Sequence, residues 1–268
     1  AYNNLEEYLA DLKKALTTDH PRYKTLGTKV GDEYIQLNTA IIQIENEYYS
    51  SIRPKRLVGS GERPINALRE NGIEYVEIRA LDNNIYDPFG ISDETAIFLE
   101  SFLFYCLLCE DQPCDADEII KIQNNWGKVV LSGRDENTEL QFKEGSAPLK
   151  ERAIEILDAM TNFEDRIGDL GYRNIFKKSL ESQRLKISDS NMTPSGKLLQ
   201  DITESGLSWD EYTDQIAKSH KEEILKSKRD VDYLEEQAKK SLEEFSIKET
   251  QKEKDFDSFL AEYLSAIE

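Results

Sequence analysis

The sequence predicts an α+β fold, with a few strands near the N-terminus and a mostly helical remainder. Three observations predict it. Tyr34 to Tyr49 and Gly72 to Asp82 alternate side-chain character with the period of a strand. From Ser92 onward the apolar residues recur every three or four positions, as on a helix. Clusters of Gly, Ser and Pro then separate the later helical stretches. The expected division is residues 1–91, an N-terminal helix with part of a sheet, and residues 92–268, a helical region packed around it.

The elements follow in order. Leu5, Leu9, Leu12 and Leu16 form one stripe of an amphipathic helix, and Asn4 with Glu7 makes a capping pair at its start. Pro21, Gly27 and Gly31 punctuate a loop. Tyr34 to Tyr49 reads as one or two strands, rich in Ile and Tyr. Period 2 puts Gln43, Glu45, Glu47 and Tyr49 on one face and Ile42, Ile44 and Asn46 on the other. Arg53 to Pro64 is expected as a loop. Gly72 to Asp82 reads as a strand with Tyr75, Glu77, Arg79 and Leu81 on one face. Asp87-Pro88-Phe89-Gly90 is a turn signal. Ser92 can cap a very apolar helix running through Cys109. Further helices are expected over Asp117 to Val130, Leu149 to Phe163, Ile175 to Leu185 and Trp209 to Ala217. A last one, Lys221 to Phe245, carries a narrow stripe of Ile224, Val231, Leu234, Ala238, Leu242 and Phe245. Two strands make no stable sheet alone, so either their partners are missing or helices cover them.

Composition excludes several classes. The 268 residues carry 34 Lys and Arg against 53 Asp and Glu, a net charge of −19. Nucleic acid and anionic membrane surfaces both repel such a chain, so neither is an expected partner. Thirteen Tyr, ten Phe and two Trp can still build a core. The most apolar run, Ala96 to Cys109, is broken by Glu100 and Ser101 and falls short of the roughly 20 residues a spanning helix needs. The N-terminus is polar and amphipathic, unlike a signal peptide. Three cysteines make no even disulfide framework, so a cytoplasmic location is expected. Residue 1 is Ala, which implies a processed initiator or a chain cut from something longer.

His20 and His220 lie far apart and suggest neither a triad nor a zinc site. Cys106 and Cys109 have redox spacing but sit among Leu and Phe, so buried inert thiols are expected, and no fourth metal ligand accompanies Cys114. The Gly59–Glu62 loop lacks any Walker or dinucleotide context. Its flanks, Arg53, Lys55, Arg56 and Arg63 against Glu62, concentrate cations in an acidic chain. They read either as a solvated loop or as a site that neutralises a few phosphates. Glu77 and Arg79 share a strand face, about 6.5–7 Å apart. A carboxylate for magnesium beside an arginine for the transferring phosphoryl group is what phosphoryl transfer requires. The same pair could equally be an ion pair on a wet sheet face.

Ile42 to Arg56 (IQIENEYYSSIRPKR) and Gly72 to Asp82 (GIEYVEIRALD) together resemble the bacterial glutamate–cysteine ligases of the proteobacterial class. The likeness extends to Asn3–Leu16, Asp87–Ile91 and Asn124–Arg134, and becomes looser beyond. The resemblance implies a glutamine-synthetase-like antiparallel catalytic sheet with helices around it. It implies joining of the glutamate γ-carboxylate to the cysteine amine through γ-glutamyl phosphate, the first step of glutathione synthesis, with ATP and Mg²⁺. Glu77 matches the family's magnesium carboxylate, Arg79 the catalytic arginine at the γ-phosphate, and Tyr49 a tyrosine of the cysteine pocket. Glu45 and Asn46 fall in the same motif and are expected to border the nucleotide. Lys55 and Arg56 lie in the motif without an assigned role. The family's chains are longer at the N-terminus. The resemblance therefore implies a partner, the N-terminal half with the remaining magnesium carboxylates and the glutamate site, without which this chain is expected not to turn over. Two rivals remain: a non-catalytic helical interaction module using Lys221 to Phe245, and another carboxylate–amine ligase of the same superfamily.

Overall fold

A computed structural model describes residues 2–59, 61–110, 112–167, 173–226, 231–251 and 254–267. In chain order, residues 1–81 carry α1 (Leu5–Thr17), α2 (Pro21–Leu26), β1 (Lys29–Val30), β2 (Glu33–Tyr34), β3 (Ile52–Lys55), α3 (Pro64–Asn71) and β4 (Tyr75–Ile78). Then come α4 (Asp93–Leu108), α5 (Ala116–Ser132), β5 (Glu139–Phe142), β6 (Gly145–Pro148), α6 (Leu149–Ile167), α7 (Arg173–Ser188), α8 (Pro194–Ser205) and α9 (Trp209–Lys226). The chain closes with α10 (Val231–Thr250) and α11 (Phe256–Ser265). The α+β class is as expected. The sheet is not one body: among the described residues the strands form three two-stranded antiparallel ribbons, β1–β2, β3–β4 and β5–β6.

Two compact units form, Ala1–Leu81 with Arg229–Glu268, and Asp82–Lys228. This differs from a division at residue 91, because the C-terminal segment joins the first unit. There the Asn66 amide donates to the Ala266 carbonyl (2.6 Å), and Arg63 donates to the Tyr263 carbonyl (3.1 Å).

In the first unit, α1 starts where Asn4 accepts from the Glu7 amide (2.8 Å). It buries Tyr8, Leu12 and Leu16 against Ile65 and Leu68 of α3, with Leu5 and Leu9 at the margin. Burying a large aliphatic side chain contributes about 1.5–3 kcal/mol, so this small cluster is the unit's main apolar anchor. Packing also pushes the Tyr8 hydroxyl up to about 12, chiefly by burial.

The expected strand over Tyr34 to Tyr49 does not form. Beyond β2 the backbone amides find side chains and the end of α1 in place of a neighbouring strand. Leu37 donates to Gln43 (2.6 Å), Ala40 to Asn38 (2.8 Å) and Gln43 to Glu47 (2.7 Å). Ile41 and Ile42 donate to the carbonyls of Thr18 and Ala15. Local polar side chains thus outcompete a ladder. The segment ends in a 3-10 turn, Glu45–Glu47, so the two-faced reading of these residues fails. Conversely, β3 arises at the start of the expected loop, α2 replaces loop, and α3 occupies residues that carry no expected element. Pro54 is tolerated because its strand sits in a ribbon with a free edge. Gly72 closes α3 at φ 74°, a conformation that suits glycine.

In the second unit, Ser92 caps α4 by accepting from the Thr95 amide (3.3 Å), as expected. The core is Leu157, Met160 and Leu180, with Phe98, Phe102, Tyr105, Ile156 and Ile187 packed against it. Phe98, Phe102 and Tyr105 lie on one face of α4, and the core reaches no further along the helix, so Cys106 and Cys109 at its C-terminal end are left uncovered. Both are exposed and Cys114 is half-buried, so the expectation of buried cysteines is corrected. The helix is apolar all round, but only that one face packs into the core. The β5–β6 hairpin is not legible in the sequence. The expected helix over Lys221 to Phe245 is divided between α9 and α10, and residues 227–230 of it lie outside the described residues.

The His220 Nε2 lies 2.8 Å from the Ile85 carbonyl and His20 packs on Tyr23, both structural placements. Among the described residues no group of three or more His, Cys, Asp or Glu side chains could hold a metal ion. No helix among them is long and apolar enough to cross a membrane.

Candidate active site

The β3–β4 ribbon builds the site through its register. Arg53 lies opposite Glu77, and Lys55 and Arg79 lie two positions away along their strands. All four side chains therefore belong to one face. The other face presents Ile52, Pro54 and Val76 to a cavity of about 300 Å³ shared with Tyr2, Leu5 and Tyr8. Ile-Arg-Pro-Lys and Tyr-Val-Glu-Ile alternate so that the charges meet on one side.

Glu77 is the centre. Its Oε2 accepts from Arg53 Nε (3.3 Å) and NH2 (3.0 Å), and Lys55 Nζ stands 3.7 Å away. Its Oε1 accepts from Arg79 NH2 at 3.1 Å. Arg53 is buried and also donates to the Tyr48 carbonyl (2.6 Å), which ties the ribbon to the segment before it. The Arg79 amide donates to the Ser51 carbonyl (2.7 Å), and its guanidinium lies 5.3 Å over the exposed Tyr49 ring. A cation over a ring face gains from the ring quadrupole and orients the guanidinium.

The hydrogen bond from Arg79, then that from Arg53, hold the Glu77 carboxyl down to about 2, with Lys55 adding its field. A carboxylate whose native value is depressed stabilises the fold above its unfolded value and loses that contribution as pH falls. The ribbon should therefore be supported above pH 4.5, with that support disappearing as pH drops toward about 2. Carboxylate carbon shifts followed by NMR during an acid titration check this. A Glu77 midpoint near 4.5 would show that the arginines do not engage it.

The structure brings Glu77, Arg79 and Tyr49 together. It adds Arg53 and Lys55. By sequence these two are loop cations, and only the period-2 alternation of residues 52–55 hints at their strand. It separates Glu45 from the cluster. Glu45 is buried on the 3-10 turn and takes both arms of Arg63, at 3.0 and 2.8 Å. Asn46, next to it on the turn, is exposed. The basic loop is thereby reinterpreted. Arg53 serves Glu77, Arg63 serves Glu45, and Arg56 donates to the Asn71 (2.6 Å) and Gly72 (3.2 Å) carbonyls. These cations are fixed by internal acceptors, so they do not form a free phosphate-gathering loop.

Around Glu77, one carboxylate meets three cations, an excess of two positive charges. Such a face attracts an anion. For magnesium the fit is limited but real. Glu77 is a hard oxygen donor that stays ionised, and the ion commonly takes one or two carboxylates plus substrate phosphates. Glu77 can thus give one oxygen to an ion arriving on phosphates. It cannot hold one alone against its three cations.

A family model described as glutamate-cysteine ligase matches residues 1–129. The glutamate–cysteine ligase of Pseudomonas fluorescens is 37% identical over 269 residues, covering 99% of this chain and 51% of the relative. That of Azotobacter vinelandii is 38% identical, covering 100% of this chain and 51% of the relative. The chain spans about half the length of the curated relatives it matches. A crystal structure of glutamate–cysteine ligase from Francisella tularensis in complex with AMP superposes with a TM-score of 0.88 at 29% identity, covering 99% of this chain and 53% of that one. A bifunctional glutathione synthetase from Pasteurella multocida shares the fold, with a TM-score of 0.55 at 17% identity, over 84% of this chain and 24% of that one. With the cationic ribbon lying inside the matched residues, the chain belongs to the glutamate–cysteine ligase family.

Proposed function

We propose that this chain contributes part of an active site that joins the γ-carboxylate of glutamate to the amine of cysteine at the expense of ATP. The observation that carries the reading is the Glu77–Arg79 pair on a ribbon with two excess cations, within the family-matched residues. The AMP bound to the Francisella relative supports a nucleotide at the same fold. A cytoplasmic setting belongs to the same reading, in keeping with three cysteines outside any disulfide.

In the proposed chemistry the glutamate γ-carboxylate attacks the terminal phosphorus of ATP. An acyl phosphate forms and ADP leaves. The cysteine nitrogen then attacks the acyl carbon and expels phosphate, leaving an amide. Charge grows on the phosphoryl oxygens in the first step, and Arg79 is the residue proposed to meet it. Glu77 fixes Arg79 from one side and Tyr49 from the other, so the guanidinium is positioned before substrate arrives. Tyr49 is mostly exposed and free to line the acceptor pocket. Asn46 is the proposed neighbour of the nucleotide. Glu45, expected beside it, is assigned instead to holding the turn that carries Asn46. Magnesium, when bound with ATP, neutralises phosphate oxygens, and Glu77 would be its contact in this chain.

We further propose that the remaining carboxylates and the glutamate-binding groups come from the half of the family fold that the relatives have and this chain does not span. The test is ATP-dependent γ-glutamylcysteine formation. The chain alone should give no turnover above background. Mixing with the preceding half of the Pseudomonas fluorescens ligase should restore it. Turnover by the chain alone at an ordinary enzymatic rate would sink the shared-site reading. A mixture that stays inactive, although the halves associate, would sink the ligase reading.

A further inference from the structure

The second unit holds a cavity of about 430 Å³, remote in sequence from the ribbon and lined by α4, α6, α7 and the end of α5. That volume is in the range of small-molecule sites. Its walls are mostly apolar, with Phe98, Phe102, Ile156 and Leu157 among them. Four polar side chains matter on its rim and wall. Arg134 already donates to Asn191 (3.0 Å), and Lys150 is paired with Glu136 (2.9 Å). Lys186 is different. Among the described residues its ammonium meets only the Gln183 Oε1, at 3.4 Å, and forms no ion pair. Glu94 is felt only through its longer-range field. Burial pushes the Lys186 ammonium down, the mark of a cation losing water without gaining a counter-ion.

Gln183 completes the arrangement. Its Nε2 is buried without a hydrogen-bond partner. A flip of the amide would not relieve this, because it would turn two N–H donors toward the Lys186 ammonium. The Gln183 nitrogen has no accessible surface, so on the cavity wall it is the Lys186 ammonium that can meet a ligand, with Gln183 beside it. The position of Lys186 in the last turn of α7 favours a cation there, but does not explain the unpaired amide.

We propose that this cavity is a binding site for a small monocarboxylate with an apolar body, its carboxylate pairing with Lys186 and its body on the Phe98–Phe102 wall. A carboxylate carries the single negative charge that one unpaired ammonium can neutralise. A phosphate would leave further oxygens facing apolar wall, since Arg134 and Lys150 have partners of their own. The site is distinct from the proposed ligase chemistry and does not depend on it.

The test uses the full chain and isothermal titration calorimetry with 4-phenylbutyrate and its neutral amide, 4-phenylbutyramide. One saturable site is expected for the acid, with the amide weaker by about tenfold or more. Lys186→Met should weaken the acid by a similar factor and leave the amide unchanged. Removing an unpaired, half-buried charge should not harm folding, which circular dichroism verifies. Ala153→Trp, which fills the cavity, should abolish both. Equal binding of acid and amide, acid binding insensitive to Lys186→Met, or no binding of either probe would each overturn the proposal.

Discussion

Arg63→Ala is expected to destabilise the first unit by about 3–5 kcal/mol, because it leaves a buried carboxylate without its cation. Arg63 is fully buried, and its Nε and NH2 bond both oxygens of Glu45. Its third arm reaches the Tyr263 carbonyl, and its guanidinium stacks 4.2 Å over the Tyr263 ring. One side chain therefore joins the 3-10 turn, the start of α3 and α11. Typical domains are stable by only about 5–15 kcal/mol, so the loss is a large fraction of what the unit has. Urea unfolding followed by circular dichroism measures it as a lower midpoint. The paired change Glu45→Leu with Arg63→Met should recover most of the loss, since no charge is then stranded. A shift below about 1 kcal/mol for Arg63→Ala would contradict the buried-pair account.

The second large effect is on catalysis. In the ligase assembled from this chain and the preceding half, Arg79→Ala should lower kcat by about a hundredfold or more. Arginines that meet a transferring phosphoryl group contribute on the order of 10³–10⁵ in rate, and the partial exposure of Arg79 places it at or somewhat below the lower end. The KM for ATP should change only a few-fold, because charge on the phosphoryl oxygens grows after binding. Glu77→Gln should also lower kcat while keeping the side chain's shape. It removes the charge that holds Arg79, so the Arg79 contact at 3.1 Å weakens. Steady-state kinetics on both variants checks this. A change confined to KM would remove Arg79 from the transition state.

The parts of the fold that the residue order reveals are the local ones. The leucine stripe of α1 and its Asn4 cap are readable because one turn of helix contains the whole signal. The same holds for Ser92 and α4. The departures are of another kind. Tyr34 to Tyr49 alternates like a strand, yet a strand needs a neighbour, and the amides find Gln43, Asn38, Glu47 and the end of α1 first. Cys106 and Cys109 read as buried because α4 is apolar all round. Burial requires something packed against the side chain, and the core meets α4 only as far as Tyr105, which leaves the C-terminal end of the helix uncovered.

The candidate site divides along the same line. Composition and motif by themselves determine an acidic chain with a local cationic stretch, and the Glu77–Arg79 spacing that can serve phosphoryl transfer. They do not determine which cation serves which anion. Arg53, Lys55, Arg56 and Arg63 are nearly equivalent as letters. Strand register gives Arg53 and Lys55 to Glu77, and the cap of α3 gives Arg63 to Glu45. Pairing distance sets electrostatic energy, and distances between residues far apart in sequence exist only once the chain is folded. For that reason the sequence alone supplies the candidate charges, and the tertiary structure alone decides which of them are neutralised within the fold and which remain in excess on one face.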